Sequence, residues 1–111
     1  MKQIQQGDVL FQQINKLPDG LKQVSPRNGR IVLAEGETTG HHHAITATKT
    51  KSATLYELTN NGRTKLYLEV TSPVVVEHEE HKAQTIPEGI YKVGQVLEYD
   101  YFAEQERLVR D

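Results

Sequence analysis

Apolar residues along this chain fall in short runs separated by turn-forming residues, and the runs alternate in the two-residue rhythm of half-buried strands rather than the three-to-four-residue rhythm of helices. Val9-Leu10-Phe11, continuing through Gln12-Gln13-Ile14, reads as the first strand, introduced by Gly7 and Asp8. Leu17-Pro18-Asp19-Gly20 closes it, because proline presets one backbone angle and glycine accepts positive φ. Pro26-Arg27-Asn28-Gly29 is a second turn, and Ile31-Val32-Leu33-Ala34 the strand that follows. The strongest local signal is a hairpin from Ala53 to Thr71. There, Asn61-Gly62 separates two β-rich runs, and Leu66, Leu68 and Val70 alternate with Tyr67 and Glu69. After Pro73, Val74-Val75-Val76 predicts another strand. Ile86-Pro87-Glu88-Gly89 predicts a turn, and Ile90 to Tyr101 two further strand segments. No window carries a sustained helical period, and turn signals recur about every ten residues. The expectation is an all-β fold, mainly antiparallel: a small β-barrel or sandwich in which residues 1–111 form one domain.

Length and composition narrow this little further. A chain of 111 residues supports one core and, at this size, buries roughly 65% of the surface it exposes when unfolded. Apolar residues are 36% of the chain, so that core is thin. The formal charge of -2 gives no general attraction to nucleic acid or to an anionic membrane. With no cysteine, disulfides, thiolate metal sites and cysteine nucleophiles are all excluded. The start, Met1 to Gln6, lacks a signal-peptide apolar stretch, and no run approaches the roughly 20 apolar residues of a membrane span, so the expected location is cytoplasmic.

Chemistry is concentrated in the five histidines, which form two groups, His41-His42-His43 and His78-Glu79-Glu80-His81. On a strand His41 and His43 share a face while His42 points away as an exposed bystander. Val74, Val76 and His78 share a face if their strand stays extended. His41, His43, His78 and His81 are therefore the candidate ligands of one divalent metal ion, with Glu79 or Glu80 as orienting partner or general base. Nitrogen and oxygen ligands suit zinc, iron, manganese, nickel or copper. A bound ion would lower the pKa of its water, so metal-dependent hydrolysis of a small or phosphate-containing substrate is the plainest reaction if the protein is an enzyme.

Three other readings compete with this one. The histidines would be solvated loop residues in the plainest of them. In a metal-free site, one histidine would act as base and another as acid, with Lys82 or Lys49 stabilising phosphate charge, as in a nuclease or phosphodiesterase. The run Glu77, Glu79 and Glu80 opposes that reading, since it repels a polyanion and welcomes a cation. A non-enzymatic binding module, a phage or host interaction protein that sequesters a partner protein or nucleotide and whose exposed sheet edges can pair with another chain, is the third, and a homo-oligomer is possible. Gly36 and Gly40 flank a loop without phosphate-loop spacing and read as a turn, and the tyrosines read as strand packing residues.

Three segments resemble a small family of bacterial and phage proteins: Gln6-Gly7-Asp8-Val9-Leu10; Leu33 to Glu37 leading into Thr39-Gly40-His41-His42-His43-Ala44-Ile45; and His78-Glu79-Glu80-His81 followed by Ile86-Pro87-Glu88-Gly89-Ile90-Tyr91. That resemblance implies no particular activity. A broader one is to the cupin barrels, through Gly36 with His41 and His43 and through Pro87 with Gly89. Ala47 and Thr48 stand where the cupin glutamate is expected, and no histidine follows Gly89 at the cupin spacing. A cupin-like site would therefore draw its missing ligands from His78 or His81.

Overall fold

A computed structural model describes residues 2–35, 42–46 and 51–95. The described residues form ten strands and no α-helix. They are β1 (Gln3–Gln6), β2 (Val9–Ile14), β3 (Lys22–Val24), β4 (Ile31–Glu35), β5 (His42–Ile45), β6 (Ala53–Asn60), β7 (Arg63–Val70), β8 (Val74–Glu77), β9 (Gln84–Ile86) and β10 (Gly89–Gln95). Two antiparallel sheets result, one ordered β1-β2-β10-β7-β6-β3 and the other β4-β5-β8-β9. Of the two architectures expected, the sandwich is the one adopted.

Alternation explains which faces meet. Val9 and Phe11 on β2, Leu55 on β6, Leu68 and Val70 on β7, and Tyr91 and Val93 on β10 turn inward from the large sheet. Ile31, Leu33, Ile45, Val74, Val76 and Ile86 meet them from the small one, in a single apolar cluster. The buried stretches of β2, β6, β8 and β10 thus hide every second residue, as a sheet with one covered face must.

Turn chemistry sets the register. Asn61 and Gly62 have φ of 55° and 76°, the doubly positive pair of a type I′ turn, and lock β6 to β7 along their whole length from Ala53↔Val70 to Asn60↔Arg63. The hairpin legible in the sequence is therefore present. A second two-residue turn, Gly7-Asp8, joins β1 to β2, which pair Gln6 with Val9 and Gln3 with Gln12. Gly7 has φ of 57° and Asp8 is not positive, which matches the type II′ preference for glycine at the first central position. β1 itself is the polar stretch QIQQ, with only Gln6 buried, so it carries no apolar pattern to announce it. β3 and β9, three residues each, escape the pattern for the same reason. The expected strand segment near Tyr99 and Tyr101 lies outside the described residues.

Candidate functional site

Strand pairing between β5 and β8 brings the two histidine groups together. Ile45 pairs with Val76 and Ala44 with Glu77, so continuing the ladder sets His43 opposite His78 and His42 opposite Glu79. Both continuations are realised. The His43 and His78 rings lie 4.3 Å apart between centroids, and the His42 N–H donates to Glu79 Oε1 at 2.9 Å. His81, on the turn after β8, closes the group, its ring centroid 4.6 Å from that of His78 and 6.0 Å from that of His43. His43 faces inward with Ile45 and is 4% exposed, whereas His78 is half-buried and His81 exposed.

The β1–β2 hairpin supplies the remaining parts. Gln6, 2% exposed, donates from its amide nitrogen to the carbonyls of Val76 at 2.9 Å and Lys82 at 3.0 Å. Carbonyls only accept, so the amide orientation is fixed and its oxygen must face His43 Nδ1, 2.8 Å away. His43 Nδ1 therefore carries a proton, and in the neutral ring Nε2 is left with a bare lone pair. That lone pair faces Asp8 Oδ1 at 3.4 Å. Asp8 is steadied from the other side by Gln95, whose amide donates to Oδ2 at 3.2 Å.

His78 adopts the opposite tautomer. Its Nδ1 accepts from the backbone N–H of Glu80 at 3.0 Å and of His81 at 3.2 Å, so the neutral ring holds its proton on Nε2. The two rings thus present a lone pair and an N–H within one small volume. His81 lies over Gly7: a Cβ built on that glycine would come within 2.6 Å of His81 Nε2. Only glycine admits this approach at a positive φ without displacing the ring.

Electrostatics keep His43 neutral. Burial is the main reason its pKa falls below 6.5, and the neighbouring His78 charge is the second; Asp8 opposes them, and His81 lowers it further. The unfolded chain consequently binds a proton in a range where the folded chain does not. The resulting stability is full above pH 6.5 and declines as pH falls from there toward the lowered folded value. Urea midpoints measured from pH 8 to pH 5 should fall on acidification, and a His43→Gln variant should show a smaller decline.

Among the residues named from sequence, the structure unites His43, His78 and His81, while His41, Lys49 and the Gly36–Gly40 loop lie outside the described residues. Glu79 sits against His42, with Oε2 3.9 Å from Nδ1, so His42 has a definite structural contact. Glu80 engages His78 through its backbone N–H, and Lys82 meets Gln6 through its carbonyl. Gln6 and Asp8 are the site residues sequence reasoning passed over. The signal for them was Gly7-Asp8 read as a two-residue hairpin turn, which puts both at one end of a strand pair.

Among the described residues, no three His, Asp or Glu side chains already converge their donor atoms on a metal position. The separations nonetheless suit one. Two ligand atoms of a tetrahedral ion bound at about 2.0–2.1 Å lie about 3.3 Å apart. His43 Nε2 and Asp8 Oδ1, at 3.4 Å, match that edge.

No helix among the described residues is long and apolar enough to cross a membrane. No curated protein and no solved structure matches the chain. A family model does: described as Domain of unknown function (DUF8820), it matches residues 5–95, which span both the Gln6–Asp8 hairpin and the histidine cluster, and the chain belongs to that family.

Proposed function

We propose that this protein binds one divalent transition-metal ion through His43 Nε2 and Asp8, with His81 as the third ligand and His78 beside it. The observation that carries the reading is the His43 lone pair aimed at a carboxylate 3.4 Å away. A cation between those two electron-rich atoms would turn their mutual repulsion into attraction. A proton is the poorer occupant, because burial and the neighbouring histidines disfavour it. A divalent ion takes nitrogen and oxygen ligands together and suffers no such competition at neutral pH.

His78 contributes as an N–H donor while its Nδ1 holds the two backbone amides, and becomes a ligand only by releasing them. Asp8 and His81 are solvent-exposed, so a fourth position would remain open to water. An ion there would supply a water of lowered pKa, which is the basis for hydrolysis of a small or phosphate-containing substrate. The proton-accepting role would fall to Glu79, which spans the His42 backbone and ring, or to Glu80, whose backbone N–H engages His78.

Untagged protein, loaded in turn with zinc, manganese, iron, nickel and copper and then desalted, should retain about one equivalent of at least one ion by elemental analysis. Retention below roughly a tenth of an equivalent for all five would overturn the assignment. The opposed tautomers favour a second reading, in which His43 is a general base and the His78 N–H a general acid without metal. Turnover that persists in metal-stripped protein selects that reading.

A further inference from the structure

The β6–β7 hairpin runs farther than the strands that flank it. β10 pairs with β7 only from Leu66 to Val70, and β3 pairs with β6 only from Leu55 to Glu57. Residues 58–65 therefore form a two-stranded ribbon tipped by the Asn61-Gly62 turn. Within it Leu58 lies directly opposite Lys65 and Asn60 opposite Arg63, and residues two apart on one strand share a face. Leu55 and Leu68 turn inward on the same two strands, so this set projects from the face of the large sheet that turns away from the small one. Together with Asn61 the four line a cavity of about 480 Å³. A Cβ built on Gly20 would lie 3.7 Å from Leu58 Cδ1, so the connection from β2 to β3 backs the apolar wall.

We infer that this cavity is a nucleotide site, which takes a phosphate group between Arg63 and Lys65 and the attached base against Leu58 and the two asparagine amides. Neither cation has an ion-pair partner among the described residues, and the ribbon itself contains no acidic residue. Carboxylates on the neighbouring segments are placed elsewhere. Glu57 has the opposite parity to Leu58 and is paired with Lys22 of β3. Glu69 shares the face of Lys65 but stands four residues along β7, roughly 13 Å away, and accepts from the Tyr56 hydroxyl at 3.3 Å. Asp19, on the turn before Gly20, is not part of the cavity wall. A guanidinium fork and an ammonium take phosphate oxygens in charge-assisted bonds, and the guanidinium plane also stacks on a base. Asparagine amides offer the donor and acceptor together that an adenine edge matches. The volume falls within the roughly 300–1,000 Å³ range of small-molecule pockets, and a bare phosphate ion would leave most of it to water. His43 turns inward between the sheets while this cavity faces outward, so the site stands whether or not the metal assignment holds.

The test is a titration of metal-stripped, isotope-labelled protein with adenosine monophosphate, read by amide chemical shifts, with adenosine, ribose phosphate and inorganic phosphate as comparison arms. Saturable shifts confined to residues 58–65 and Gly20 are expected, with each comparison compound binding more weakly. Arg63→Ala and Lys65→Ala should each weaken binding about tenfold or more, while Lys16→Ala, exposed past the end of β2, should leave it unchanged. Arg63 and Lys65 are both exposed, and an otherwise unchanged spectrum verifies the fold of each variant. A short single-stranded oligoadenylate identifies the source of the nucleotide: tighter binding than the monophosphate assigns a nucleic-acid strand, and equal or weaker binding assigns the free nucleotide. Absence of saturation below about 10 mM, shifts centred on His43 and His81, equal affinity for ribose phosphate, or unaltered affinity in both alanine variants would overturn the assignment.

Discussion

Replacing His43 with alanine is expected to lower metal affinity at least about a hundredfold, while His42→Ala, one residue away, should leave it unchanged. The contrast follows from the strand. His43 is 4% exposed and points its Nε2 lone pair at Asp8, whereas His42 turns to the other face and meets Glu79. Loss of a group that merely orients a metal ligand commonly costs 10–100-fold, and loss of a ligand costs more. Removing a buried imidazole also leaves the Gln6 carbonyl oxygen without its partner, so the alanine variant should lose stability as well. Asp8→Asn separates the two effects. Its side chain is about half exposed, it takes no part in the core, and the amide is a far weaker ligand than the carboxylate. Competition titration against a chromophoric chelator reads all three variants. Equal affinity in His42→Ala and His43→Ala would sink the metal assignment.

Gln6→Leu should have the second-largest effect, on two observables at once. Leucine is one heavy atom shorter and apolar, and the substitution strands the carbonyls of Val76 and Lys82 and the His43 Nδ1 proton, groups that Gln6 now satisfies together. At about 1 kcal/mol or more for each, the expected destabilisation is roughly 3 kcal/mol or more, visible as a lowered urea midpoint. The second observable is electronic. Without the Gln6 oxygen, nothing holds the His43 proton on Nδ1, and nitrogen NMR should show the ring moving toward a mixture of tautomers. Metal affinity should fall about 10–100-fold, the range for groups that orient a ligating histidine. A destabilised protein whose His43 tautomer and metal affinity were unchanged would show Gln6 to be a structural bridge and nothing more.

The β-rich fold was legible because most strands carry the alternation that a covered face demands. Val74 and Val76, or Leu68 and Val70, need only be counted in twos, and Asn61-Gly62 declares its own turn type. β1 was not legible, since QIQQ offers one isoleucine among three glutamines and is held by pairing with β2 rather than by an apolar face. The candidate site divided along the same line. Histidines advertise themselves by type, so His43, His78 and His81 could be named in advance. Gln6 and Asp8 could not, because their role depends on β1 lying beside the turn after β8, a contact between residues about 75 positions apart of the kind that local pattern cannot encode. The choice of nitrogen on each ring was equally hidden, being set by a carbonyl count around Gln6 and by two backbone amides at His78.

The alignment of His43 with His78 places an unusual constraint on how this family can vary. A strand changes the face of every side chain when it slips by one residue. A single-residue insertion in β5 or at the end of β8 would send His43 to the outer surface and bring its neighbour inward, even with every histidine retained. Within the 34 residues between those two histidines, the tip of the β6–β7 hairpin faces no such demand: it can lengthen or shorten in cross-strand pairs without moving either strand. Relatives that keep the site should therefore hold the Thr-Gly-His-x-His and His-x-x-His spacings rigid while differing freely in the distance from one group to the other.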